Sequence, residues 1–182
     1  MDEKELIAGC LEGDPVSARN LFETHFSLVM AMALNVLANR QDAEDVCQET
    51  FLQVFKNIER YDPERSFRTW ILTIVYRRCL DMIKKRRRFN EFAARAKFEA
   101  LGSSAAGNPG PDDSGPLPSK LLETLSPRER TALCLWANEG YAAKEIAEVM
   151  ACSASTARVT LFNARRKIKP LLEKDHGVLQ AG

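Results

Sequence analysis

Residues 125–169 read "LSPRERTALCLWANEGYAAKEIAEVMACSASTARVTLFNARRKIK", and this stretch decides the fold class. Ser126, Pro127 and Glu129 make a helix start: a hydroxyl to cap, a proline at the first helical position and a carboxylate to complete a capping box. Gly140 stops that helix. A short helix over 142–150, the turn Ala151-Cys152-Ser153 and a third helix from Ala154 follow. Three helices with a tight turn before the last describe a helix-turn-helix. On a wheel of about 100° per residue, Ala157, Leu161, Ala164, Ile168 and Leu171 fall in one apolar stripe. Ser155, Arg158, Phe162, Arg166 and Lys169 fall opposite. Residues 154–169 carry five cations (Arg158, Arg165, Arg166, Lys167, Lys169) and no acid. Guanidinium groups for guanine edges and phosphates, with an apolar ring for a thymine methyl, suit a DNA major groove. A solvated basic face is the ordinary explanation of one charged helix. The short helix and tight turn ahead of it, and Phe162 among the charges, favour DNA recognition.

Working outward, residues 102–119, "GSSAAGNPGPDDSGPLPS", hold four glycines, four prolines and four serines. Such a stretch cannot bury enough apolar surface to offset its ordering entropy. The expected organisation is a helical module over 1–97, a flexible linker over 98–119 and the helix-turn-helix module over 120–182. The signals before the linker are also helical, which predicts an all-α protein of two small domains. Gly13-Asp14-Pro15 ends one helix and opens another. "HFSLVMAMALNVLA" (25–38) is apolar on nearly every side and reads as a central core helix. The next helix turns Val46, Thr50, Phe51, Val54 and Ile58 inward and Asp42, Asp45, Gln48 and Glu49 outward. Tyr61-Asp62-Pro63 closes it, and a further helix is expected from about Ser66 to Arg87, with "KKRRR" at its end.

The formal net charge of +1 hides segregation. Residues 1–64 carry 5 basic and 13 acidic side chains, a net of −8, whereas 65–97 carry 11 basic and 2 acidic, a net of +9. An acidic stretch followed by a basic one implies two different partners for one module. The basic helix interleaves rings with cations (Phe67, Arg68, Trp70, Tyr76, Arg77, Arg78), a mixture that suits single-stranded nucleic acid. Some of those rings must also belong to the core.

Other classes find no support. The N-terminus "MDEKELIAGC" lacks a signal peptide's basic start and apolar run. The longest apolar stretch, 26–38, is far short of a membrane span. A cytoplasmic protein without membrane insertion is the expectation. The five cysteines (Cys10, Cys47, Cys79, Cys134, Cys152) form no CxxC pair, and His25 and His176 have no ligand at metal spacing. No metal or cofactor is expected. No nucleophile with a base and no phosphate-cradling glycine loop supports an enzyme such as a nuclease. An ordinary helix-turn-helix repressor or response-regulator output domain remains a rival, but duplex binding alone gives no use to single-strand stacking groups.

Two stretches carry a family resemblance. "DAEDVCQETFLQVFKNIERYDPERSFRTWI" (42–71) resembles the core-polymerase-binding helix, loop and promoter-melting helix of bacterial sigma factors of the extracytoplasmic function (ECF) group. "LSPRERTALCLWANEGYAAKEIAEVMACSASTARVTLFNARRKI" resembles the DNA-binding domain of that group, in the family's order. The resemblance implies that Asp42, Asp45, Gln48 and Glu49 dock on core RNA polymerase, whose beta and beta-prime subunits hold the factor. It implies that Tyr61, Arg65, Ser66, Phe67, Arg68, Trp70, Arg77, Arg78, Lys84 and Lys85 take up the melted minus-ten strand of promoter DNA. It implies that Ser155, Thr156, Arg158, Val159, Phe162, Asn163, Arg165, Arg166 and Lys169 read the minus-thirty-five element as duplex. An anti-sigma factor is the implied inhibitor, and Asp112 and Asp113 suit a linker running toward the polymerase active centre. The sequence departs from the family at Arg77, where asparagine is usual, and at Ala151, where the turn glycine is usual. Val159, Thr160 and Asn163 stand at often hydrophilic or basic positions, and these departures bear on the promoter sequence and not on the fold.

Overall fold

The computed structural model describes residues 2–100 and 124–179. From residue 101 onward the expected linker, including Asp112 and Asp113, lies outside the described residues, as do residues 120–123 of the second module. Among the described residues every regular element is a helix. The first module holds α1 (Glu3–Leu11), α2 (Pro15–Leu37), α3 (Arg40–Asn57), a 3-10 turn (Ile58–Arg60) and α4 (Phe67–Ala100). The second holds α5 (Pro127–Ala137), α6 (Ala143–Val149) and α7 (Ala154–Leu179).

The helix boundaries follow from local chemistry. Gly13 turns with φ of +79°, and the Asp14 carboxylate then accepts from the backbone N–H groups of Val16 and Ser17 at 3.1 and 2.9 Å. Pro15 fills the first helical position, where no N–H is needed. Ala38 ends α2 in the left-handed region, and the Asn39 side chain caps α3 by accepting from the Asp42 N–H at 2.9 Å. Ser126 and Glu129 form the expected capping box, with bonds of 3.3 and 2.8 Å.

Helix α2 is the hub: it packs against α1, α3, α4 and, across the modules, α5. Leu21, Val29, Ala33 and Val36 are fully buried or nearly so. In its first half Phe22 and Phe26 are exposed, with tilted rings whose centroids lie 5.3 Å apart, and Phe22 also meets the Phe51 ring at 4.5 Å. Within 25–38, the stretch expected as a central core helix, Phe26 and Ser27 are exposed and the rest is buried or half-buried.

Helix α4 also differs from expectation. It does not end near Arg87 but runs 34 residues to Ala100, which places "KKRRR" in mid-helix. Neither glycine nor proline occurs between Phe67 and Ala100, and Arg87 adds an ion pair to Glu91 one turn on, at 2.7 Å. At 1.5 Å per residue the helix is about 50 Å long.

The modules share one core. Ala132, Leu135, Tyr141, Ile146 and Val149 belong to the same buried cluster as Met32, Leu72, Val75 and Tyr76. The seam between α2, α4 and α5 leaves a cavity of only about 20 Å3, lined by Met32, Leu72 and Leu135 among others. Polar contacts border it. The Arg130 guanidinium donates to the carbonyl of Val36 at 3.2 Å and to that of Leu125 at 3.0 Å. Arg68 pairs with Glu139, and the Thr69 and Tyr141 hydroxyls lie 3.2 Å apart.

Candidate nucleic-acid and docking interfaces

Three faces come from the sequence-expected residues. On α3, Asp45, Gln48 and Glu49 are exposed on one side of the helix. Asp42 is separated from them in role: its carboxylate is mostly buried and lies 2.6 Å from the Arg86 guanidinium. It ties α3 to α4. Sequence reasoning missed Leu52, which is 69% exposed in the midst of this acidic face. The signal was its spacing, four residues after Gln48 and three after Glu49, on a side whose other residues are polar.

The second face is the start of α4. Phe67 is fully buried, with ring centroids 5.1 Å from His25, 5.2 Å from Tyr61 and 5.5 Å from Trp70. It therefore cannot meet a strand directly, contrary to expectation; it is the floor on which the half-buried Tyr61 and Trp70 rings rest. Tyr76 is core for the same reason, 1% exposed. The Tyr61 hydroxyl donates to the Arg65 carbonyl and so shapes the 61–66 loop, which holds Arg65 and Ser66 in solvent. Trp70, Ile74, Arg77 and Arg78 line a pocket of about 240 Å3 together with Gln53, Asn57 and Arg60. Lys84 and Lys85 are exposed farther along α4. Beyond them Phe89 and Phe92 stand 71% and 72% exposed.

The third face is α7. Ser153 starts it, its hydroxyl accepting from the Thr156 N–H at 3.1 Å and lying 2.8 Å from the hydroxyls of both Ser155 and Thr156. Ala157 and Ala164 are buried, while Arg158, Val159, Phe162, Arg166 and Lys169 are exposed. Asn163 is half-buried at the edge. Arg165 is drawn sideways: its guanidinium sits 4.6 Å from the Trp136 ring of α5, a cation–π geometry. Lys167 turns back to Glu129 at 2.8 Å. Burial would raise the Glu129 pKa, but Lys167 and the Ser126 hydrogen bonds outweigh it and hold the carboxyl below its usual range. Sequence reasoning also missed an open groove of about 700 Å3, where Trp136, Phe162, Ile168 and Leu172 are bordered by Arg165, Arg166 and Lys169. Trp136 belongs to another helix, so no periodicity within α7 could announce it.

The described residues contain no group of three or more His, Cys, Asp and Glu placed to hold a metal ion. Burial pushes the Cys47 thiol up to about 11 and that of Cys134 up to about 12, and it raises Cys79 as well. These thiols are protonated at neutral pH and poorly nucleophilic. No helix among the described residues is long and apolar enough to cross a membrane.

Residues 21–89 match Sigma-70 region 2, and residues 119–168 match Sigma-70, region 4. The RNA polymerase sigma factor CarQ of Myxococcus xanthus is 30% identical over 165 residues, which cover 88% of this chain and 92% of CarQ. The chain belongs to the ECF group of RNA polymerase sigma factors. The ECF sigma-E factor of Haemophilus influenzae is 28% identical over 94% of this chain and 98% of its own. Two solved structures share the fold. The sigma factor RpoE in complex with the anti-sigma factor NepR, from Bartonella quintana, matches with a TM-score of 0.67 at 21% identity, over 85% of this chain and 96% of that one. CnrH in complex with the cytosolic domain of CnrY matches with a TM-score of 0.65 at 24% identity, over 95% and 98%. A sigma factor directs promoter-specific initiation and catalyses no reaction itself, so this ECF factor is not an enzyme.

Proposed function

We propose that this sigma factor divides promoter-directed initiation among the three faces. The acidic face of α3, Asp45, Gln48 and Glu49 around the exposed Leu52, docks on core polymerase, with Asp42 bracing it through Arg86. An apolar centre ringed by carboxylates is the anatomy of a specific docking patch. The start of α4 receives the melted non-template strand of the minus-ten element: Tyr61 and Trp70 offer ring faces, and Arg65, Arg77, Arg78, Lys84 and Lys85 follow the backbone. Helix α7 reads the minus-thirty-five element as duplex, Arg158, Val159, Phe162 and Asn163 toward base edges and Arg166 and Lys169 toward phosphates. The observation that carries this reading is the separation of an acidic docking face from two cationic faces on different helices, within a family-length match. The apolar groove of Trp136, Phe162 and Leu172, edged by cations, suits an acidic amphipathic segment of an anti-sigma factor. Occupation of that groove engages Phe162 and so competes with duplex reading. Release of that inhibitor by an envelope or environmental stress signal, in the cytoplasm, completes the proposal.

Charge reversal of Asp45 and Glu49 to lysine tests the docking face. Co-purification with core polymerase is lost while helicity and thermal unfolding are unchanged, because exposed helix charges contribute little to stability. Transcription by core polymerase from a promoter pool then falls to the level without the factor. Retention of both activities refutes the α3 assignment.

A further inference from the structure

Helix α4 continues past the body of the first module. Its last tie there is Arg86, paired with Asp42 at 2.6 Å. From Arg87 to Phe92 every side chain is exposed, and the helix runs on to Ala100, about 20 Å beyond Arg86. Phe89 and Phe92 stand 71% and 72% exposed, one turn apart. Residues 84–95 carry six cations (Lys84, Lys85, Arg86, Arg87, Arg88, Arg95) and one acid, Glu91, which Arg87 engages at 2.7 Å. Lys84 has Asp81 at 3.8 Å, whereas Lys85 and Arg88 have no carboxylate partner among the described residues. We propose that this projecting half of α4 lies in the major groove of the paired DNA adjoining the melted minus-ten segment. Phe89 and Phe92 meet thymine methyls there, and Lys85, Arg88 and Arg95 neutralise phosphates. The inference rests on the α4 reading, which decides which DNA is at hand.

The side, the shape and the charge of the segment select duplex. At about 100° per residue, Lys85, Arg88, Phe89 and Phe92 fall within the same sector of about 120° as Trp70, Arg77 and Arg78. Nucleic acid held at the start of α4 is therefore led along this side. A melted segment is bounded by paired DNA, and the helix beyond the strand-receiving face meets that boundary. A helix free on all sides, about 10–12 Å across, fills a major groove about 12 Å wide. Continuous basic helices use this geometry, whereas stacking on a single strand engages one face only. The cations call for an anionic partner, and the two rings call for apolar groups within it, which thymine methyls supply. Phe92 and Arg95 lie past the Sigma-70 region 2 match at 21–89, so this end of the surface is the chain's own extension.

The test uses holoenzyme assembled from the full chain, on a promoter that the parental holoenzyme selects from a genomic pool. Phe89→Ala with Phe92→Ala, and separately Arg88→Gln, are compared with an exposed apolar control elsewhere, Leu11→Ala with Val16→Ala. Every substituted side chain is exposed, so helicity is retained. Hydroxyl-radical footprinting reads the DNA backbone, and permanganate reads unpaired thymines. The expected result is protection of paired DNA beside the permanganate-reactive segment, lost in the double phenylalanine variant. Promoter affinity in that variant falls several-fold, while melting persists at saturating holoenzyme. Arg88→Gln weakens binding to all promoters alike and reduces the salt slope by about one unit. A footprint and an affinity equal to those of the control overturn the proposal. So does weakened co-purification with core polymerase, which makes the surface a protein contact, and so does a loss confined to single-stranded oligonucleotide, which gives it to the unpaired strand. Trp70→Ala with Arg77→Ala tests the reading beneath: unchanged permanganate reactivity there refutes the strand site on α4, whatever the distal footprint shows.

Discussion

At Ala151 the chain leaves α6 with φ of +48°, in the left-handed region that alanine enters at a cost. Two reversed hydrogen bonds hold it there, from the Ala151 N–H to the Glu148 carbonyl at 3.2 Å and from the Cys152 N–H to the Ala147 carbonyl at 3.0 Å. The turn aims α7, so the backbone stays although the side chain resists. Ala151→Gly should stabilise the protein by about 1 kcal/mol, the left-handed penalty of alanine less the extra chain entropy of glycine. Thermal or urea unfolding measures it, and an unchanged or lower midpoint shows the turn to be unstrained. His25 presents a different residue-scale effect. It is 5% exposed, with Nε2 at 3.1 Å from Glu3, and its burial, aided by Arg68 and opposed by Glu3, holds its pKa below the ordinary histidine value. The unfolded chain therefore takes up a proton on His25 near pH 6.5 that the folded one refuses until lower pH. Stability contributed by the neutral ring is complete above about pH 7 and is lost as the pH falls through the folded pKa. Urea unfolding of His25→Gln should lack the part of the slope that the parent shows below about pH 6.5.

Among the elements, α7 gives the sharpest expectation. Its Asn163 amide suits the paired donor and acceptor of adenine, where arginine suits guanine. Asn163→Arg should shift the preferred base at one minus-thirty-five position from adenine to guanine, by about 1–3 kcal/mol. Transcription across single-base variants of the element reads the profile, and a parental profile means that Asn163 does not reach the bases. The faces of α3 and α7 were legible because helical period alone sorts inward from outward residues, and the capping residues at 126–129 are local. Phe67 was not placed correctly because periodicity cannot say that His25 and Tyr61 come over it from other elements. The end of α4 was set too early because a run of cations looks like a terminus, while the helix formers from Asn90 to Ala100 and the absence of a breaker before Gly102 carry the opposite signal. Arg165 was expected on the duplex-reading face, and its partner Trp136 shows the same limit.

For the molecule as a whole, two modules were legible from composition, but their contact was not, because it pairs residues far apart in the chain, such as Thr69 with Tyr141, 72 positions on, and Val36 with Arg130, 94 positions on. A core continuous across the seam predicts one cooperative unfolding transition by calorimetry. Leu135→Ala, which empties a fully buried seam position, should cost about 2–5 kcal/mol and resolve two transitions. A single unaltered transition in that variant would place the cooperativity elsewhere. The apolar seam has one more consequence. Drawing the modules apart wets Met32, Leu72 and Leu135, and the hydration of such groups raises the heat capacity. The attraction between the modules therefore has its own temperature dependence, strongest in a middle range and weaker on cooling. Cooling therefore weakens the apolar part of the seam relative to its polar contacts, such as the Arg68–Glu139 pair.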